Sequence, residues 1–359
     1  MKIVSVVGTR PNFMKTAPVQ AALAARPDDF ETVLVHTGQH YDAAMSDIFF
    51  EELGIGPPDH MLDVGSGTHP QQTARVMERL EPVLEAERPD LVLVPGDVNS
   101  TLAAALVAVK LDIPVGHIEA GLRSFDRTMP EEINRVLTDQ IAELLFTHSP
   151  EAARHLEAEG SDPATIHYVG NTMIDTLVAL RARIEAEGAV AKHGLEEGGF
   201  VLVTLHRPAL VDGPLLEEVV AQLGALAQKI PVFFPAHPRT QKGMERLGAG
   251  GEPGLEIVDP IGYLEFLSLL SGAAAVLTDS GGIQEEATFL GIPCLTLRDN
   301  TERPVTVEMG TNMLLGLRPE RVAELPALVE EIRGREAKVP PLWDGAAAGR
   351  IVEVLLERR

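Results

Sequence analysis

Short, continuously apolar runs alternate with segments of helical spacing along the whole chain. Val4 to Val7, Val33 to His36, Leu91 to Pro95, Val115 to Ile118 and Leu144 to Thr147 are each followed by a polar turn and then a helical pattern. Strands that are apolar throughout are buried on both faces, which predicts a parallel sheet covered by helices on both sides. The pattern then restarts with Phe200 to Leu205, Val232 to Ala236, Leu255 to Val258, Ala275 to Thr278 and Cys294 to Leu297. Asn171 to Glu187 reads as a long amphipathic helix and Gly188 to Gly199 as a loop, so the boundary is placed near Gly170. The predicted division is 1–169, 170–344 and a closing segment, 345–359, whose helical stretch Gly345 to Leu356 is compatible with either domain and is expected to return to the first. A chain of 359 residues exceeds the usual single core. The expected fold class is therefore α/β, with two Rossmann-like domains whose parallel sheets face an interdomain cleft.

In such sheets ligands bind beyond the carboxyl ends of the strands, and those positions are unusually polar here. Gly8-Thr9-Arg10-Pro11-Asn12-Phe13-Met14-Lys15, Gly96-Asp97 and Glu119-Ala120-Gly121-Leu122-Arg123 follow strands of the first series. His206-Arg207, His237-Pro238-Arg239 and Asp279-Ser280-Gly281-Gly282-Ile283-Gln284-Glu285-Glu286 follow strands of the second. The last of these reads as strand, glycine turn and helix N-terminus, where free N–H groups and the helix dipole attract an anion such as a diphosphate. Plain readings stand beside the functional ones. Asp97 suits an N-cap or Asx-turn for a helix beginning near Ser100. Glu131 and Glu132, after Pro130, suit dipole complementation and an i,i+4 pair with Arg135. His206 and Arg207 suit a surface turn. Glu119 has the weakest plain reading, because it follows an apolar strand where a turn former is expected.

Composition narrows the classes. A formal charge of −23 disfavours nucleic acid and anionic membranes, so basic residues near the glycine turns gain weight as a local exception. The single cysteine, Cys294, excludes a disulfide framework and a cysteine-based zinc site, which leaves strand packing as its role. The N-terminus carries no signal-peptide pattern, and no apolar run approaches the ~20 residues of a membrane span, so a soluble cytoplasmic protein is expected. Gly8 lacks the further glycines of a dinucleotide fingerprint, no Gly-x-x-x-x-Gly-Lys-Ser/Thr loop is present, and Ser280 is not in a nucleophile elbow. No redox cofactor or metal is therefore expected. His36 and His40 are four apart, but Gly38 between them argues against a helical ligand pair.

Taken together, Gly8-Thr9-Arg10-Pro11 with Lys15, Gly96-Asp97, His117-Ile118-Glu119-Ala120-Gly121-Leu122-Arg123, Pro130-Glu131-Glu132-Ile133-Asn134-Arg135, Gly170-Asn171-Thr172, His206-Arg207, the Asp279 to Glu286 segment and Thr301-Glu302-Arg303-Pro304 resemble the non-hydrolysing UDP-N-acetylglucosamine 2-epimerases. The resemblance spans nearly the whole chain in the family's order. It implies a glycosyltransferase B-like architecture, a homodimer, and reversible C2 epimerisation through elimination of UDP to a 2-acetamidoglucal. It implies Asp97, Glu119 and Glu131 as catalytic carboxylates and His206 acting near the diphosphate. Arg10 and Lys15 would line the substrate cleft on the first-domain side, with Arg135 close to the carboxylates. Ser280, Gly281 and Gly282 would take the diphosphate, Glu286 the ribose and Phe266 the uracil. Gln39 and His40 match a segment associated with a second, regulatory UDP-sugar site. Pro208-Ala209-Leu210 departs from the family by lacking a polar residue, and the Arg123 to Pro130 loop is the shorter variant. His36-Thr37-Gly38-Gln39-His40 and Gly262-Tyr263-Leu264-Glu265 are shared with a branch acting on UDP-2,3-diacetamido-glucuronic acid. A hydrolysing 2-epimerase, a glycosyltransferase of the same architecture and a non-catalytic UDP-sugar sensor are the rival readings of these residues.

Overall fold

The computed structural model describes residues 1–38, 53–247 and 252–358. It divides into two compact units, Met1–Ala179 with Pro341–Arg359, and Leu180–Pro340. Each is built on one wholly parallel sheet, as the apolar runs predict.

The first sheet has the order β3-β2-β1-β4-β5-β6-β7, from β1 (Lys2–Val7), β2 (Glu31–His36), β3 (His60–Met61), β4 (Leu91–Pro95), β5 (Val115–Ile118), β6 (Leu144–Thr147) and β7 (Ile166–Tyr168). Both faces are covered, and the side-chain period of two shows why its strands are apolar throughout. Val4 and Val6 of β1 join Val92 and Val94 of β4 in one core, with Leu80 and Leu84 of the helix His69–Glu87 and alanines of the helix Asn99–Lys110. Ile3, Leu91 and Leu93 turn to the other face, against Val19 and Leu23 of the helix Arg10–Ala24. Ile351, Val352 and Leu355 of the closing helix, Ala347–Leu356, complete that second core. Burying each contributes about 1.5–3 kcal/mol, and Asp175 fixes this helix's start by accepting from the N–H groups of Ala347 (3.1 Å) and Ala348 (2.7 Å).

The second sheet has the order β10-β9-β8-β11-β12-β13, from β8 (Val201–Thr204), β9 (Val232–Pro235), β10 (Leu255–Val258), β11 (Ala275–Thr278), β12 (Cys294–Thr296) and β13 (Asn312–Leu314). One of its cores joins Val201, Val203, Leu277 and Leu295 to Val219, Leu223 and Leu226 of the helix Leu215–Ala227. Cys294 is fully buried in β12, and burial pushes its thiol pKa up to about 12. An aromatic disulfide reagent is therefore expected to label it only when the protein is unfolded in denaturant. Rapid labelling of the native protein would contradict this packing.

Three strands, β3, β7 and β13, do not appear in the sequence pattern, because each is only two or three residues long and has a strongly polar residue, His60, His167 or Asn312, in place of a continuous apolar run. The expected loop Gly188 to Gly199 contains a one-turn helix, Ala189–Lys192. No helix among the described residues is long and apolar enough to cross a membrane.

Candidate functional site

Each sheet has a point where successive strands pass to opposite sides of the first, and this is where open α/β sheets bind ligands. In the first unit the point lies between β1 and β4. Gly8 lets the two following helices approach, since a Cβ there would lie 2.4 Å from Ser100 Oγ. Asn12 ties the turns together by accepting from the N–H groups of Gly8 (3.2 Å) and Thr9 (3.1 Å) and donating to the Pro95 carbonyl (3.0 Å). One turn further along that helix stands Lys15, only 6% exposed, whose ammonium is paired with the equally buried Glu119 after β5. Gly96 permits the pair to sit against the main chain. Its φ is +65°, and a Cβ would lie 2.9 Å from Lys15 Nζ and 3.5 Å from Glu119 Oε2. A small cavity beside the pair is lined by Phe146, His148, Gly170 and Asn171, which brings the Gly-Asn-Thr segment to the same place.

Asp97 is not the N-cap that local sequence suggests. The helix Asn99–Lys110 has Val98 at that position, and the Asp97 carboxylate instead accepts from Arg135 Nε at 2.9 Å. Arg135 also pairs with the buried Glu132, which receives the N–H groups of Ser124 and Phe125 at 2.9 Å each and so shapes the loop before the helix Pro130–Ile141. The plain reading of Glu132 as a dipole partner gives way to this structural one. Glu131 is half-buried, and its side chain makes no hydrogen bond or ion pair among the described residues, so its carboxylate is available. Arg10 is exposed at the start of its helix.

Glu119 has a φ of +72°, the left-handed region that costs a non-glycine residue on the order of 1–3 kcal/mol. Its surroundings impose it. The N–H groups of Glu119 and Ala120 both donate to the Phe146 carbonyl at 3.0 Å, and Gly121 N donates to Asp139 at 3.1 Å. Beneath the site His117, Asp139 and Arg123 form a buried group. His117 Nδ1 lies 2.6 Å from Asp139 Oδ1, and its Nε2 lies 2.7 Å from the Gly96 carbonyl. Arg123 reaches Asp139 at 2.7 Å and Glu159 at 2.6 Å. Burial alone would raise the Asp139 pKa, but His117 and Arg123 outweigh it and hold the carboxyl below its ordinary value.

In the second unit the corresponding point lies between β8 and β11. The buried Asp279 accepts from the main-chain N–H groups of His206 (2.9 Å) and Arg207 (2.7 Å) and lies 3.1 Å from His206 Nδ1. Burial opposes ionisation of Asp279, yet its bonds with His206 and Arg207 lower its pKa overall. His206 is thus oriented from its Nδ1 side while its side chain stays 44% exposed. Ser280 stands at the N-cap position of the helix Gly281–Leu290 without a side-chain bond to it, and the first helical residues, Gly281 and Gly282, present N–H groups that the helix itself does not use. Arg303 packs over Gly281, where a Cβ would lie 2.5 Å from its Nη1, and reaches Glu285 at 2.9 Å. Glu286 accepts from the Tyr263 hydroxyl at 2.8 Å. Phe266 is half-buried on the helix Tyr263–Gly272.

The structure therefore assembles Lys15, Asp97, Glu119 and Arg135 in one unit, and His206 with the Ser280 turn in the other. Gln39 and His40 lie outside the described residues. No role for Asp139, Asp279 or Arg303 is legible in the chain itself; the last two are visible only as members of longer motifs, and Asp139 carries no signal at all.

A family model described as UDP-N-acetylglucosamine 2-epimerase matches residues 21–356. The chain is 46% identical over 329 residues to a UDP-2,3-diacetamido-2,3-dideoxy-D-glucuronate 2-epimerase of Pseudomonas aeruginosa, covering 90% of this chain and 91% of that one. It is 42% identical over 364 residues to a UDP-N-acetylglucosamine 2-epimerase of Methanococcus maripaludis, covering 99% and 98%. Among solved structures, the Methanocaldococcus jannaschii UDP-GlcNAc 2-epimerase in complex with UDP-GlcNAc and UDP is 41% identical with a TM-score of 0.88, covering 99% of this chain and 100% of that one. The Neisseria meningitidis UDP-GlcNAc 2-epimerase bound to UDP-GlcNAc is 33% identical with a TM-score of 0.91, with the same coverage.

Proposed function

The chain belongs to the UDP-N-acetylglucosamine 2-epimerase family, and from that premise we propose that it interconverts UDP-N-acetylglucosamine and UDP-N-acetylmannosamine without releasing the sugar. The observation that supports this reading best is the convergence of Asp97, Glu119 and the Lys15 ammonium at one strand-end site. The C2 hydrogen has no ring carbonyl beside it, so its removal needs the departure of UDP from C1. A carboxylate takes the proton, the C–H electron pair forms the C1–C2 double bond, and the C1–O pair leaves with the diphosphate. UDP then returns to C1 as a proton is delivered to the opposite face of C2. Asp97, Glu119 and Glu131 are the acids assigned to these two transfers.

The N–H groups after Ser280 and the oriented His206 are assigned to the departing diphosphate, where fixed donors stabilise developing charge. Glu286, held by the Tyr263 hydroxyl, is the acid assigned to the ribose, and Phe266 is assigned to the uracil. Arg10, Lys15 and Arg135 supply positive charge on the sugar side. A cytoplasmic location and a homodimer belong to the same proposal.

Proton NMR of the purified protein with UDP-N-acetylglucosamine in D2O tests it directly. The manno epimer should accumulate to equilibrium with deuterium at C2 and without added NAD or metal. Epimer that kept its protium at C2, or free N-acetylmannosamine as the product, would contradict the proposal. A second reading, a modified sugar bearing a C3 acetamido group and a C6 carboxylate, is favoured by the identity to the Pseudomonas aeruginosa protein. The same measurement with UDP-2,3-diacetamido-glucuronic acid separates the two by relative kcat/KM.

A further inference from the structure

We propose that His117 and Asp139 form a buried clamp, with both imidazole nitrogens donating hydrogen bonds, that sets the geometry of the two turns carrying Asp97 and Glu119. The proposal rests on the epimerase reading for what those turns do, but its geometry stands apart from it. His117 is wholly buried on β5, and Asp139 is 2% exposed on the helix Pro130–Ile141.

The clamp is defined by what each arm holds. His117 Nε2 faces the carbonyl of Gly96 at 2.7 Å, the residue whose left-handed backbone leads into Asp97. A carbonyl only accepts, so Nε2 carries a hydrogen. Nδ1 faces Asp139 Oδ1 at 2.6 Å, while the other oxygen accepts from Gly121 N and from the Arg123 guanidinium, whose adjacent positive charge favours the ionised carboxylate. Nδ1 therefore carries a hydrogen as well, and the ring donates from both sides. The second oxygen of Asp139 holds Gly121 two residues beyond Glu119, at the far end of the strained turn. One acid and one ring thus tie Gly96 to Gly121 across β4 and β5, with Asp97 and Glu119 carried between them. Arg123 and Glu159 extend the network and balance its charge. A left-handed Glu119 persists only if its surroundings determine it, and this clamp supplies one of the bonds that do.

Two substitutions separate the arms. His117→Gln can place an amide nitrogen near the Nε2 position, keeping a donor for Gly96, whereas His117→Asn places one near Nδ1 and keeps only the Asp139 contact. Misplacing a reacting group by about 1 Å costs on the order of a hundredfold in rate. In His117→Asn, kcat should fall by about that factor, while KM and the affinity for UDP stay within about threefold. His117→Gln should retain at least about a tenth of the wild-type kcat, because the Gly96 arm is restored. Wild-type kcat in His117→Asn overturns the clamp, as does an equal loss in both variants when both melt at the wild-type temperature. Should the variants fail to fold, the unmutated protein still decides. Long-range 15N–1H NMR should show a buried histidine ring bearing protons on both nitrogens, and a single proton on every buried ring overturns the proposal. Absence of epimerisation by the unmutated protein would count against the functional reading and leave this ring measurement as the test of the clamp.

Discussion

Glu119→Gln is expected to lower turnover by about a hundredfold or more, the scale of losing one acid–base group. It should also lower stability. Lys15 and Glu119 are buried together, and removing one member of a buried pair costs about 3–5 kcal/mol because the other charge is left uncompensated. The two effects are separable. Replacing both residues, as Lys15→Met with Glu119→Gln, should recover most of the melting temperature, since the stranded ammonium is gone. Turnover should remain lost, because the carboxylate has not been restored. Glu131→Gln is the companion measurement. The Glu131 side chain makes no hydrogen bond or ion pair among the described residues, so its substitution should leave thermal unfolding nearly unchanged while cutting the rate by a similar factor, about a hundredfold. Rates near wild type in Glu119→Gln would reduce that residue to a counter-ion for Lys15 and move the proton chemistry elsewhere.

The contrast between Glu119 and Asp139 shows where sequence stops being informative. Glu119 is legible because it interrupts an apolar strand with a charge and is followed by a glycine; such a break needs a reason beyond turn formation. Asp139 lies inside an amphipathic helix among ordinary polar neighbours, and only the folded chain shows that it is wholly enclosed by His117, Arg123 and Gly121 N. Strands follow the same logic. Leu91 to Pro95 is read to its ends because Val92 and Val94 serve one core while Leu91 and Leu93 serve the other, so no polar residue intrudes. His60–Met61 is invisible, because a two-residue edge strand is defined by its pairing with Val35 and His36 and not by its own side chains. Asp97 is the instructive ambiguity. Its local sequence fits a helix cap, and its actual partner is Arg135, thirty-eight residues away. A motif records which residues occur together, but only the strand order places Gly96 beside Glu119.

The other large effect concerns Gly281. Gly281→Val should weaken UDP binding by ~3 kcal/mol or more, roughly a hundredfold, if the diphosphate rests on the first N–H groups of the helix Gly281–Leu290. Two causes could produce that loss. A side chain would stand where a phosphate must approach the main chain. It would also displace Arg303, since a Cβ at Gly281 lies 2.5 Å from Arg303 Nη1 and 2.9 Å from its Cζ. Arg303 is not easily moved, being 7% exposed and paired with Glu285 and Glu302. Gly282→Val distinguishes the causes by placing the obstruction one residue further along the same row of N–H groups. Calorimetric titration with UDP, on variants shown to be folded by circular dichroism, reads both. Weakened binding in both variants supports a diphosphate seated on the turn. A loss confined to Gly281→Val would assign the effect to Arg303 and make the glycine a packing requirement. Unchanged affinity in both would remove the diphosphate from this turn, and with it the assignment of Glu286 to the ribose.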